Sequence, residues 1–271
     1  MDKSNPGIAR LRGKAALITG AARPRGMGYA MGKLFAREGC KVVLTDIDDQ
    51  VLERAGELCA AGYSATAFKT DLTHFGETTA MVDRAVNQLG RIDILCNAVG
   101  GSVPPRPGFM DLSEDYWNTV LDRNLRTVFN CCKAVIPCMV EQKYGKIVNI
   151  SSITGTKVAY RCSTAYAASK GAVSAFTKAL ALEMGEHGIT VNTIIPGDID
   201  TADRAWSPNG SPRNLGDLTP HLTPPVARPG RPEEVADLAL FLATDDSRYI
   251  TGAEIVIDGG ATIVEPLPTP P

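Results

Sequence analysis

The chain has 271 residues, is 44% hydrophobic and carries a formal net charge of −2. That is length enough for one sizeable core in a single α/β domain. The balanced charge argues against nucleic acid or an anionic membrane surface as the main partner. The first residues, MDKSNPGIARLRGK, hold no apolar run of the signal-peptide kind, and no apolar stretch is long enough to span a bilayer. The seven cysteines are odd in number and include no C-x-x-C pair. They point to a reducing, cytoplasmic setting without a disulfide framework. His74, His187 and His221 are scattered, so no metal is expected.

Residues 15–19 (AALIT) read as a buried strand that runs into Gly20-Ala-Ala-Arg-Pro-Arg-Gly26-Met27-Gly28 and then a helix to about residue 38. Strand, glycine-rich turn and helix present backbone N–H groups to a phosphate at a helix N-terminus. An ordinary glycine-rich connection has the same pattern. The next strand, 41–46 (KVVLTD), ends in Asp46. An aspartate there accepts hydrogen bonds from both adenosine ribose hydroxyls and repels a 2′-phosphate, which favours NAD(H). Arg25 argues the other way, because a base beside the turn pairs with a phosphate, and Asp46 is given more weight. Asp46 also reads as a plain turn residue, since Asp48 and Asp49 follow.

Helix (about 49–61), strand (65–70), helix (about 76–89) and strand (92–96) come next. The alternation predicts a Rossmann-type doubly wound domain, about seven parallel strands with helices on both faces. Asp71 and Leu72 close the third strand, where a carboxylate meets an adenine amino group. Asn97, Val99 and Gly100 follow the fourth, where small residues leave room for a dinucleotide. Asn97 is equally a turn residue. Three prolines forbid a helix over 101–108 (GSVPPRPG). Ser113 is the N-cap of a long helix to about residue 142, with an apolar stripe of Val120, Leu121, Leu125, Val128, Phe129, Cys132, Val135, Ile136 and Met139. Asn124 interrupts that stripe. Either it has a functional partner there, or it bends the helix by bonding to its own backbone.

The fifth strand, 146–151, delivers Ser152 to its C-terminal edge, where ligands bind in open α/β sheets. Tyr166 and Lys170 follow, one helical turn apart on one face. An ammonium beside a phenol favours phenolate, and a phenol so tuned exchanges a proton with an alcohol or ketone. Tyr29 and Lys33 have the same spacing, but no serine-bearing strand end precedes them. The helix around Tyr166 runs to about residue 187. Then come a sixth strand (190–195), Pro196-Gly197, and a proline-rich stretch over 198–231 that reads as a substrate lid holding Arg204, Trp206, Arg213 and His221. A helix (232–244), a last strand (254–258) and a Pro-rich tail (265–271) complete a chain without an internal boundary.

Taken in order, T-G…G-M-G (19–28), Asp46, Asp71-Leu72, N-A-V-G (97–100), Asn124, N-I-S-S (149–152), Y-A-A-S-K (166–170), P-G (196–197) and D-G-G (258–260) resemble the short-chain dehydrogenase/reductase family in its compact single-domain form. The resemblance covers about 11–263. It implies an NAD(H)-dependent enzyme interconverting a secondary alcohol and a ketone, with Tyr166 as general acid/base. Lys170 would hold the nicotinamide ribose and lower the tyrosine pKa, Ser152 would bond the substrate oxygen, and Asn124 would hold a water. Ile199 and Thr201 would contact the carboxamide. Gly20, Arg25, Gly26, Met27, Gly28, Ile47, Pro196 and Gly197 belong to the implied cofactor site, and a homotetramer is implied by the helices at 114–142 and 164–187. The alternatives are an NADPH-dependent 3-oxoacyl reductase and a nucleotide-binding scaffold without turnover. Three departures from the family pattern stand out. The glycine turn is two residues longer than T-G-x-x-x-G-x-G. Ala98 replaces a second asparagine, so a backbone bond there must be met otherwise. The Ser152–Tyr166 interval is one residue longer, which leaves Ser151 as a rival serine.

Overall fold

A computed structural model describes residues 9–201 and 224–264. Its sheet has seven parallel strands in the order β3-β2-β1-β4-β5-β6-β7: β1 (Ala15–Thr19), β2 (Lys41–Asp46), β3 (Ala65–Lys69), β4 (Ile94–Asn97), β5 (Gly145–Ile150), β6 (Ile189–Pro196) and β7 (Glu254–Ile257). The central strands are buried on both faces and read as near-continuous apolar runs, the pattern of a parallel sheet covered on two sides. Side chains alternate, so Ala16 and Ile18 face one layer and Leu17 the other.

The first layer holds α1 (Met27–Arg37), α2 (Gln50–Ala60) and α7 (Pro232–Ala243), with Phe35, Met31 and Leu240 fully buried. The second holds α3 (Phe75–Leu89), α5 (Thr127–Gln142) and α6 (Thr164–Met184), with Val135, Met139 and Val173 inside. Each such side chain contributes about 1.5–3 kcal/mol relative to exposure, so both layers are needed to hold the sheet edge in place. Gly32 lets α1 close on the sheet, because a Cβ there would sit 2.7 Å from Leu44 Cδ2.

The long helix expected from Ser113 to 142 is not continuous. Ser113 caps it as predicted, accepting from the Tyr116 N–H at 3.2 Å. After α4 (Glu114–Leu121), residues Asp122–Arg126 form a π-turn, and α5 begins at Thr127. The wider turn shifts the apolar stripe. Asn130 and Cys131 therefore turn inward, and Phe129, placed in the stripe by its spacing, is 47% exposed. Among the described residues no helix is long and apolar enough to cross a membrane. All seven cysteines are free thiols, four of them buried.

Candidate active site

The parallel sheet sends the ends of β1, β4, β5 and β6 to one edge. On β1 the chain leaves Thr19 and turns at Gly20, whose φ of +69° suits a residue without a Cβ. A Cβ at Gly20 would lie 2.7 Å from the Val99 backbone, and one at Gly28 would lie 2.3 Å from the Gly20 carbonyl oxygen. The turn therefore packs backbone on backbone. Gly26 starts α1 without a side-chain cap, and the first turn of α1 carries no acidic residue. Its N-terminal end is thus suited to an anion. Met27 is half-buried behind it.

Asp46 at the end of β2 accepts the Ala22 N–H at 3.0 Å and the Asp48 N–H at 3.2 Å. Its carboxylate is thereby fixed beside the glycine turn, while the neighbouring Ile47 side chain is exposed. Arg25 does not face Asp46: its guanidinium pairs with Asp200, beyond β6. Asp71, expected to face an adenine, is engaged locally by the Thr73 hydroxyl and N–H. Burial opposes its ionisation, but those bonds and His74 outweigh it and hold its pKa below the usual carboxylate range. Leu72 is a core residue whose carbonyl accepts from Asn130.

At the end of β4, the Thr19 hydroxyl accepts both the Ala98 and the Val99 N–H at 3.1 Å. This is how the chain manages without an asparagine at 98. Asn97 is fully buried and donates to Asn149 Oδ1 at 2.8 Å, and Asn149 donates to the Thr177 hydroxyl at 2.9 Å. The Asn97 side chain therefore belongs to a ladder inside the second layer. Gly100 follows with φ +140°, and a Cβ there would lie 2.6 Å from Asn124 Oδ1 and 3.0 Å from Lys170 Nζ. Asn124 and Lys170 thus flank one glycine.

Asn124 bonds to its own helix, as the bending reading expects, and also to the loop after β4. Its amide donates to Val120 O at 2.9 Å, which is the local bend, and to Gly101 O at 3.1 Å, while its oxygen accepts the Gly101 N–H at 2.8 Å. The π-turn lets one side chain pin the loop after β4 to the helix.

At the end of β5 the two serines separate. Ser151 is buried and donates to the Lys170 carbonyl at 2.8 Å, with the Ser174 hydroxyl donating to it at 3.3 Å. Ser152 is less buried, accepts the Thr154 N–H at 3.1 Å, and favours the ionised form of the nearby Tyr166 phenol. The lengthened interval is taken up in a tight turn, in which the Gly155 N–H donates to Val158 O and the Val158 N–H to Ile153 O. A Cβ at Gly155 would meet Ala167 O at 2.1 Å, so only glycine lets this turn lie on the first turn of α6.

Lys170 is 3% exposed and donates to Ile150 O at 2.9 Å. Burial pulls its pKa down to about 8. For Tyr166 the expectation of a lowered pKa is corrected. Burial raises the phenol above its ordinary value, and Ser152 and then Arg106 pull it back only in part. Desolvation outweighs the cation, and Arg106 is a cation that favours the phenolate. Sequence reasoning missed Arg106. It sits in the proline-rich loop 101–108, which Tyr116 holds by donating to Val103 O at 2.6 Å. No periodicity links a loop arginine to a helical tyrosine, and only the pinned loop brings them together.

Pro196 ends β6. A Cβ at Gly197 would lie 2.7 Å from Asp258 Cβ. Ile199 is buried and bridged to Gly230, and the Thr201 N–H donates to Ile199 O at 2.9 Å. Arg204, Trp206, Arg213 and His221 of the expected lid lie outside the described residues.

A family model described as enoyl-(acyl carrier protein) reductase matches residues 20–262. Oxidoreductase UcpA of Salmonella typhimurium is 41% identical over 263 residues, covering 95% of this chain and 98% of that one. The 3-oxoacyl-[acyl-carrier-protein] reductase FabG of Thermotoga maritima is 37% identical, covering 94% of this chain and all (100%) of that one. A solved structure from Burkholderia xenovorans, assigned to the short-chain dehydrogenases/reductases, superposes with a TM-score of 0.83 at 35% identity, covering 94% and 98% of the two chains. The chain belongs to the short-chain dehydrogenase/reductase family. It is an oxidoreductase family that uses nicotinamide cofactors.

Proposed function

We propose that this enzyme interconverts a secondary alcohol and a ketone with NAD(H), using Tyr166 as general acid/base. The observation that carries the reading is that Asn124 and Lys170 flank Gly100 at the sheet edge to which β5 delivers Ser152, beside the Tyr166 phenol. The residues present suit a dinucleotide: a glycine turn too close for any Cβ and an uncapped α1 terminus at one end, and the Gly100 gap beside Lys170 at the other. When bound, the nicotinamide accepts or gives the hydride.

The chain's own residues move the proton. In oxidation, the Tyr166 phenolate takes the alcohol proton while Ser152 donates a hydrogen bond to the substrate oxygen. Lys170 holds the nicotinamide ribose. Arg106 favours the phenolate against the burial that opposes it. The Asn124 side chain, engaged by Gly101 and Val120, holds the loop after β4 beside Lys170. In reduction, the protonated phenol donates.

Gly20, Gly26, Met27 and Gly28 take the pyrophosphate, and Asp46 takes the ribose hydroxyls. Ile47, Asp71 and Leu72 frame the adenine, the last through its backbone. Val99 and Gly100 line the middle of the groove, and the buried Asn97 supports them from inside the second layer. Pro196, Gly197, Ile199 and Thr201 frame the carboxamide. The fixed Asp46 carboxylate and the diversion of Arg25 to Asp200 support NAD(H) over NADP(H). The FabG relative favours a second reading, an NADPH-dependent 3-oxoacyl reductase. The same carboxylate speaks against it.

We also infer a cytoplasmic homotetramer built from α4–α5 and α6, whose exposed Phe129 and Leu182 (87% exposed) offer apolar surface. Light scattering giving a monomer would contradict it. The function is tested by following NADH formation with NAD over a panel of secondary alcohols, with NADP in parallel. Turnover with the higher kcat/KM for NAD is expected. A higher kcat/KM for NADP would transfer the case to the second reading, and tight NAD binding without turnover of any alcohol would make the protein a scaffold.

A further inference from the structure

The two extra residues of the glycine turn fall in Arg23-Pro24-Arg25, and they put the Arg25 guanidinium 2.5 Å from Asp200 Oδ2. The pair is long-range in a specific sense. Arg25 follows β1 and Asp200 follows β6, with β4 and β5 between them in the sheet. Strand spacing sets that gap at roughly 14 Å, so two loops converge above the strand ends to close it. Both loops are anchored by backbone. On the Arg25 side, the Gly26 N–H donates to Arg23 O at 2.9 Å. On the other, the Asp200 N–H donates to Gly230 O and the Gly230 N–H to Asp198 O, both at 2.8 Å, which ties Asp200 to the start of α7. The Arg25 and Asp200 side chains meet across the gap. They are 61% and 46% exposed and border a cavity of about 220 Å³ with Arg231, Pro232 and Glu233. An exposed pair of this kind is weak and opens readily.

We propose that Arg25 and Asp200 form a latch across the mouth of the dinucleotide groove, and that its opening limits how fast the cofactor leaves. The inference rests on the cofactor site proposed above. In this account the lengthened turn carries Arg25 toward the β6 side, where Asp200 meets it. Arg25 and Asp200 are positioning residues, acting on the pyrophosphate seat by closing it.

The test is stopped-flow fluorescence of NADH displaced from the full-length enzyme by excess NAD, in the wild type, Arg25→Gln, Asp200→Asn and the double variant, with circular dichroism verifying the fold of each. Release three- to fivefold faster is expected in each single variant, the size an exposed ion pair supplies, with KM for NAD raised by the same factor. The double variant should release no faster than the singles, because each substitution breaks the same contact. Added salt should speed release from the wild type and leave the variants unchanged. Unchanged release in both single variants overturns the latch, as do additive effects in the double variant. Slower release from Asp200→Asn also overturns it, since Asp200 would then be withholding Arg25 from the pyrophosphate. A wild type that binds no NADH removes the cofactor reading and the latch together, whereas binding with unaltered release removes the latch alone.

Discussion

Two helices of this protein carry a tyrosine followed four residues later by a lysine, and their surroundings make them different groups. On α1, the Tyr29 phenol donates to Glu57 at 2.6 Å. Burial, then Glu57, pushes its pKa up to about 12, and Lys33 is exposed. That tyrosine is locked as a neutral donor. On α6, the Tyr166 phenol faces a serine and an arginine that both favour the phenolate, and Lys170 is buried against the Ile150 carbonyl. Spacing on a helix places two side chains on one face. Whether they titrate usefully depends on which strand end that face meets. α6 meets the C-terminal edge of β5 through the Gly155 turn, and α1 meets the α2 layer.

The contrast breaks most visibly at Lys170. Its folded pKa of about 8 lies below the ordinary lysine value, so the buried ammonium costs stability fully below pH 8. The cost is relieved as pH rises toward the unfolded value. Lys170→Met removes that cost, on the order of 3 kcal/mol, but leaves the Ile150 carbonyl without its donor, a loss of about 1–3 kcal/mol. The two offset. The expected outcome is a melting temperature within a few degrees of wild type, with turnover down about 10³-fold. A large loss of stability instead would make Lys170 a structural residue like the Tyr29 group.

Next in size is the pair of serines. Ser152→Ala should lower kcat by about 10²–10³-fold, the effect of losing one donor at a developing oxyanion, and move the rise of the oxidation rate to higher pH. Ser151→Ala loses the bond to the Lys170 carbonyl and should cost about 1 kcal/mol of stability with most turnover kept. The reverse pattern in steady-state assays would exchange their roles.

The smallest effect is expected at Arg106. Removing its charge in Arg106→Ala raises the Tyr166 pKa further, so the pH profile of alcohol oxidation should shift to higher pH, with kcat at its plateau little changed. A profile that stays in place would show that the loop arginine is screened from the phenol.

Much of this was readable before any coordinates. Each strand follows from an apolar run, and the glycine turn, Asp46 and the Ser–Tyr–Lys set follow from type and order. The rest was hidden for physical reasons. The π-turn at Asp122–Arg126 leaves only one trace in the sequence, an asparagine within an apolar stripe. That trace does not distinguish a bend from a binding site, and Asn124 turned out to serve Val120 and Gly101 together. Ser151 and Ser152 are chemically alike, and the strand's alternation, read one residue out, exchanges them. Asn97 sits at a ligand-bearing edge by position, yet its side chain points into the sheet's second layer. Arg25 illustrates the same limit, since its partner Asp200 lies 175 residues away in sequence.

The most direct test of the central claim sets Tyr166→Phe beside Tyr29→Phe. NADH binding is measured by fluorescence and turnover by NADH formation from the best alcohol of the panel. Both variants should bind NADH. Tyr29→Phe should turn over at the wild-type rate with about 1 kcal/mol less stability, and Tyr166→Phe should lose at least about 10³-fold in kcat. Sustained turnover by a folded, NADH-binding Tyr166→Phe would contradict the account.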